Sequence, residues 1–237
     1  NFLGKGQQVS LSLTIASLQS EIDFSFTEPF FLGREIRAGF DIFHVSKDLQ
    51  DFSSFETEAT GFGLRGGYKI TEDLRQDWNY TFKVSKVLSV STTASTLIQS
   101  AVGNSTTSLI GHSISYDKLD SAISPKSGYI IQMGNAIAGL GGSTGFIKNS
   151  VKSFKYFRIA DQWVLKFGGR AGYIFGLGED VAVLDRFFIG GDSLRGFESR
   201  GVGPRDIQTD DALGGEWMYT GTMQLSFPLG LPDEFGV

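Results

Sequence analysis

The chain has 237 residues, with 21 Lys and Arg against 26 Asp and Glu, a net charge of -5 and no cysteine. Without cysteine there is no disulfide scaffold, thiolate metal site or thiol nucleophile, and basic residues scattered among acids form no stripe for nucleic acid. The 31 glycines, 21 phenylalanines and 5 prolines, beside a mean hydropathy of -0.04, suit aromatic-rich strands better than helices.

No run approaches the ~20 consecutive apolar residues of a membrane-spanning helix. A β-barrel stays open, because its strands meet lipid only at alternate positions and overall hydropathy can remain near zero. The start, Asn1-Phe2-Leu3-Gly4-Lys5-Gly6, lacks the basic stretch and apolar core of a signal peptide and is expected to be a cut end.

In chain order, Val9, Leu11, Leu13 and Ile15 alternate with Gln8, Ser10, Ser12 and Thr14. Next, Ile22, Phe24 and Phe26 oppose Glu21, Asp23, Ser25 and Thr27, and Ile36, Ala38, Phe40 and Ile42 oppose Glu35, Arg37, Gly39 and Asp41. Segment 55–68 alternates more weakly. It is followed by Trp78, Tyr80, Phe82 and Val84 opposing Asn79, Thr81, Lys83 and Ser85. Segments 107–117, 128–138 and 145–158 are strand-like, the last marked by Lys148, Lys152 and Lys155. Then Trp163, Leu165, Phe167, Ala171, Tyr173 and Phe175 oppose Lys166, Gly168, Arg170 and Gly172. The clearest case comes last, with Trp217, Tyr219, Met223, Leu225 and Phe227 against Glu216, Met218, Thr220, Thr222, Gln224 and Ser226. Successive strand side chains point to opposite faces, so each segment separates a polar surface from an apolar one.

The reading predicts an all-β fold of about ten strands, each roughly the length that a tilted strand needs to cross a bilayer. Short turns such as 28–33 and 124–128 contrast with the long connections 88–106 and 178–212, the arrangement of an outer-membrane barrel. A soluble sandwich or lipocalin-like barrel also alternates. Asp23, Glu35, Arg37, Asp41, Lys83, Lys166 and Arg170 suit a wet lumen or a soluble exterior equally well.

The long connection carries Phe187-Phe188-Ile189-Gly190-Gly191-Asp192-Ser193-Leu194-Arg195-Gly196-Phe197. Gly201-Val202-Gly203-Pro204-Arg205-Asp206 and Asp211-Ala212-Leu213-Gly214-Gly215 follow. Together these closely resemble the sixth extracellular loop of the BamA superfamily, whose signature is an Arg-Gly-Phe or Arg-Gly-Tyr tip after a Gly-Gly pair. Asn1-Phe2-Leu3-Gly4-Lys5-Gly6, Thr27-Glu28-Pro29-Phe30-Phe31 and Pro125-Lys126-Ser127-Gly128 are similar to that family's turns, so the likeness covers nearly the whole chain.

The resemblance implies a partial antiparallel transmembrane β-barrel, 1–237, running from the third to the twelfth strand of a sixteen-strand plan. Periplasmic POTRA domains, the first two strands and the last four would lie outside it. It implies an integral protein of the bacterial outer membrane that folds and inserts nascent outer-membrane proteins. Outer-membrane lipid and accessory assembly lipoproteins are its implied partners, with no enzyme chemistry, metal or cofactor. In this family a weakly sealed seam between first and last strands opens toward lipid and offers an edge to the client. A polypeptide-secreting or autotransporter-assembling relative stays as one alternative, and a passive porin, which would lack the loop motif, as another.

For the loop, the resemblance implies a segment folded back into the lumen. Leu194, Arg195, Gly196 and Phe197 form its motif, supported by Gly190, Gly191, Gly203, Pro204 and Arg205. A buried arginine demands an acidic or polar partner. Gln224 and Glu216 are the candidate wall partners, Gln224 standing where relatives often carry glutamate.

Other signals are weak. Gly61-Phe62-Gly63-Leu64-Arg65-Gly66 matches a nucleotide-loop pattern, but it lies in a strand-like segment with no helix after it. His44 and His112 stand apart from closely spaced acids or histidines, which argues against a metal site.

Overall fold

In the computed structural model, residues 6–228 are described. They form one sheet of ten strands: β1 (Gln8–Ala16), β2 (Gln19–Glu28), β3 (Ile36–Asp48), β4 (Glu56–Lys69), β5 (Leu74–Leu88), β6 (Gly103–Asp117), β7 (Gly128–Ala138), β8 (Phe146–Ala160), β9 (Trp163–Gly176) and β10 (Trp217–Ser226). Every strand pairs antiparallel with its neighbours in sequence, and β1 and β10 form the two edges. Only β8–β9 shows a register shift, between Arg158 and Ala160. Two short helices, α1 (Gln50–Ser53) and α2 (Thr96–Ser100), interrupt the connections after β3 and β5.

Register decides which residues share a face. Trp217 lies opposite Tyr173, Met223 opposite Phe167, and Leu225 opposite Leu165, so the apolar positions of β9 and β10 form one surface. That surface is uncovered: Leu11 is 73% exposed, Ile15 78%, Trp217 71% and Tyr219 85%. A soluble sandwich hides its apolar face against a second layer. Here, among the described residues, the apolar face points outward and the polar face is the one that carries the folded loop.

The folded loop lies on the polar face. Lys83 on β5 and Lys148 on β8, three strand spacings apart, about 14 Å in a flat sheet, both reach Asp185 of the 177–216 connection, whose carboxylate is 3.8 Å from Lys83 and whose carbonyl accepts a 2.8 Å bond from Lys148. On the outer face, Tyr68, Tyr116, Tyr129 and Trp163 sit near one end of their strands, and Tyr173 and Trp217 near the other. From Trp163 to Tyr173 along β9 is about 33 Å, which a tilt near 45° reduces to about 23 Å. That matches an apolar band about 25 Å tall between aromatic girdles.

Connections 29–35, 70–73, 118–127 and 161–162 lie at one end of the sheet, and 17–18, 49–55, 89–102, 139–145 and 177–216 at the other. The long connections therefore do gather at one end, although 17–18 is as tight as any turn opposite. The main apolar core also sits at that end. Phe55, Val87, Ala94, Ile98 and Val183 are buried together, with Leu184, Phe188 and Leu213 against them. A second cluster joins Ala138, Phe146, Ile174 and Val181 to Phe187. Both clusters tie the 177–216 connection to the sheet.

The glycines of 61–66 belong to β4 and not to a phosphate loop, with Gly61 and Gly63 on its polar face and Gly66 on the apolar one. At Gly61 a Cβ would stand 2.8 Å from the Phe43 ring and closer still to the Phe82 carbonyl. His44 bonds Thr60 across the sheet at 2.8 Å, and His112 meets Gln76 at 3.0 Å under the Trp78 ring.

Candidate functional site

The 177–216 connection folds upon itself before it meets the wall. Backbone bridges join Phe187 to Gly215, Ile189 to Val202, and Arg205 to Ala212. At the tip, the Gly190 N–H donates to Ser193 Oγ at 2.9 Å, the Ser193 hydroxyl donates back to the Gly190 carbonyl at 2.8 Å, and the Gly191 N–H donates to the Phe197 carbonyl at 2.9 Å. Gly190 has φ 129° and a Cβ there would strike the Glu198 carbonyl, so the tip requires glycine at this position. Arg205 spans its own hairpin, bonding the Asp210 carbonyl at 2.6 Å and its carboxylate at 3.1 Å. The Pro204 carbonyl accepts from the Leu213 N–H at 3.0 Å.

Three buried contacts dock this unit. The Asp211 carboxylate, 3% exposed, accepts from the Ser54 hydroxyl at 2.6 Å, the Ser95 N–H at 2.7 Å and the Thr209 hydroxyl at 2.8 Å. Arg200 stacks over Phe188 at 3.9 Å and donates to Ser53 Oγ at 3.0 Å, and Ser53 donates on to the Ala212 carbonyl. Burial lowers the Arg200 guanidinium to about 10. Asp185 completes the set between Lys83 and Lys148; burial pushes its carboxyl up, and the two ammonium groups pull it back. Phe187 lies over Gly172, where a Cβ would stand 2.6 Å from the ring, and Lys148 caps the same ring at 4.3 Å.

Arg195 behaves differently. It is exposed, and neither a hydrogen bond nor an ion pair is found for it among the described residues. It lines a luminal cavity of about 410 Å³ together with Ser193, Lys166, Arg170, Thr222 and Gln224. Gln224 thus shares a cavity with Arg195, whereas Glu216 does not line it and contributes its carbonyl to the Ile174 N–H at 2.9 Å. Phe197 is 53% exposed. Gly196 and Gly203 have φ of 88° and 133°.

Sequence reasoning did not single out Asp185, Arg200 or Ser95 as anchors, and quoted Asp211 only as part of the loop pattern. The wall-side partners of Arg200 and Asp211 lie 116 to 157 residues away along the chain, and Lys148 lies 37 residues from Asp185, pairings that no local pattern announces.

A family model described as the Omp85 superfamily domain matches residues 1–237. The chain is 32% identical to the outer membrane protein assembly factor BamA of Neorickettsia risticii over 236 residues, 99% of this chain and 32% of that protein. It is 25% identical to the human sorting and assembly machinery component 50 homolog, covering 97% of this chain and 49% of that one. Its fold is similar to the crystal structure of BamA from Haemophilus ducreyi lacking POTRA domains 1–3, with TM-score 0.87 at 19% identity over 99% of this chain and 50% of that chain. The chain spans between about a third and a half of the length of these relatives.

Proposed function

Since the chain belongs to the Omp85 superfamily and is integral to an outer membrane, we propose that it is the membrane-embedded part of a factor that folds and inserts outer-membrane β-barrel proteins. The observation that carries this is the connection between β9 and β10, a self-bridged unit fixed to the polar face by Asp185 and to the neighbouring connections 49–55 and 89–102 by Arg200 and Asp211. Such an element occupies lumen that a water-filled channel leaves open. We read the chain as strands three to twelve of the family's sixteen, in a bacterial protein whose clients are nascent outer-membrane proteins and whose helpers include assembly lipoproteins and the local lipid. In this reading the Leu194-Arg195-Gly196-Phe197 tip acts in client handling, with Gly190, Gly191, Gly203, Pro204 and Arg205 holding its shape. Gln224 is the wall group that Arg195 faces, and Glu216 is a candidate at the base of β10. The work is conformational and proceeds without a cofactor.

The test reconstitutes the full-length protein in liposomes and follows folding of a small barrel client by its heat-modifiable mobility on gels. Client folding several-fold faster than in empty liposomes supports the reading. Ion conductance without faster folding would overturn it in favour of a pore, and export of an unfolded polypeptide into the liposome, without insertion, in favour of a secretion relative.

A further inference from the structure

The polar wall has two electrically different halves. Across β3–β5 each arginine has a carboxylate partner: Arg37 and Arg75 share Asp77, at 2.8 and 3.0 Å, and Arg65 lies 2.6 Å from Asp41. Across β8–β9 they are not. Lys152, Lys166 and Arg170 project onto the same face, and among the described residues none of them has a carboxylate partner. Lys152 stands directly opposite Arg170 in the pairing of β8 with β9, an arrangement of like charges that destabilises a sheet. Their nearest compensation is the Phe154 ring, 5.4 Å from the Lys152 ammonium and 4.6 Å from that of Lys166. Such a contact is weak where water remains. Lys166 and Arg170 line the cavity beneath the loop tip, Arg195 brings a third cation to it from the loop, and Asp192 is the one carboxylate among its described lining; Lys152 lines the adjoining cavity, which shares Arg170.

We propose that the cavity between the loop tip and β8–β10 receives the carboxylates of an extended acidic polypeptide segment, held by Lys166 and Arg170 with Arg195 closing over it, while Lys152 adds positive charge from the adjoining cavity. Spacing favours a polypeptide over a single small ion. Lys166 and Arg170 are four residues apart on one strand, about 13 Å, so two carboxylates four positions apart on an extended segment match them, whereas one phosphate spans only one of them. A lipid headgroup is disfavoured because the cations face the lumen and β8–β10 pair continuously between them and the bilayer. Thr220, Thr222 and Gln224 add neutral hydrogen-bonding groups along β10. The inference concerns this cavity's ligand and does not rest on the assembly activity.

The experiment uses the full-length protein in nonionic detergent and a rhodamine-labelled peptide of alternating aspartate and threonine, read by fluorescence anisotropy at low and at physiological salt. Saturable binding that weakens at least tenfold in Lys166→Gln/Arg170→Gln, and is unchanged in the outward-facing Lys155→Gln, is expected. Lys152→Gln should also raise the thermal midpoint of the unliganded protein, by removing the opposed like charge. This second readout holds even if the double variant fails to fold. Absence of saturable peptide binding to the parent overturns the proposal. So does equal competition by inorganic phosphate at the same charge concentration, an adventitious ion only, or by anionic lipid in mixed micelles.

Discussion

The N–H of Ser95 donates a 2.7 Å hydrogen bond to the Asp211 carboxylate, 116 residues away in the chain. The two belong to different connections at the same end of the sheet, and with the Ser54 hydroxyl they make Asp211 the latch of the inward unit. Among the described residues no cation pairs with this buried carboxylate, so its three donors are what offset its desolvation. Asp211→Ala should open the latch at a cost of about 1.5–3 kcal/mol, a roughly ten- to hundredfold rise in the undocked population. Limited proteolysis between Glu179 and Asp210 in the folded protein reads this directly. Unchanged cleavage would mean that the apolar clusters alone hold the loop.

Arg200 and Arg195 are expected to differ in the same assay. Arg200 is stacked on Phe188 and bonded to Ser53, while Arg195 lies exposed at the cavity. Arg200→Ala should sensitise the loop to protease, and Arg195→Ala should leave cleavage near the parent level while lowering client assembly. The reverse ranking would make Arg195 the docking residue.

Gly172 leaves the space that Phe187 fills. Gly172→Leu should expel the ring and loosen the loop without unpairing β9 from β10, and Gly172→Leu combined with Phe187→Ala should recover part of the loss. A coupling energy near zero in this double-mutant cycle would show that the two positions are independent.

Facing can be tested at Trp217 and Thr222, on opposite sides of β10. A spin label at position 217 should be reached by a lipid-soluble quencher and one at 222 by a water-soluble agent. Preferential access of the lipid-soluble quencher to 222 would invert the sheet described here.

In the 118–127 turn, the N–H groups of Ser127 and Lys126 donate to Asp120 at 3.1 and 2.9 Å and hold its carboxyl below the ordinary value of 3.8. A depressed carboxyl stabilises the fold fully above the unfolded value and loses that contribution as pH falls through the folded one. Amide exchange at Lys126 and Ser127 should therefore quicken as pH is lowered below 3.8, relative to intrinsic rates. Asp120→Asn should abolish the change. Persistence of the pH dependence in that variant would assign it to another group.

The period-two pattern of β1, β2, β3, β5, β9 and β10 by itself determined which of their residues share a face, because a strand's geometry forces alternation whatever surrounds it. The resemblance carried by 187–215 marked the loop unit, and the positive φ of Gly190, Gly191, Gly196 and Gly203 is the backbone reason for glycine at those positions. Which face turns outward was open in the sequence: Arg37, Lys83 and Arg170 suit bulk water and a wet lumen alike, and only the folded loop, held on that face where Lys83 and Lys148 meet Asp185, distinguishes them. The anchors of the loop were decided by tertiary structure alone. Arg195 looks the stronger candidate in a motif, but the fold brings Ser53, Ser54 and Ser95 to Arg200 and Asp211, and a hydrogen bond across more than a hundred residues depends on the path of the whole sheet between its ends.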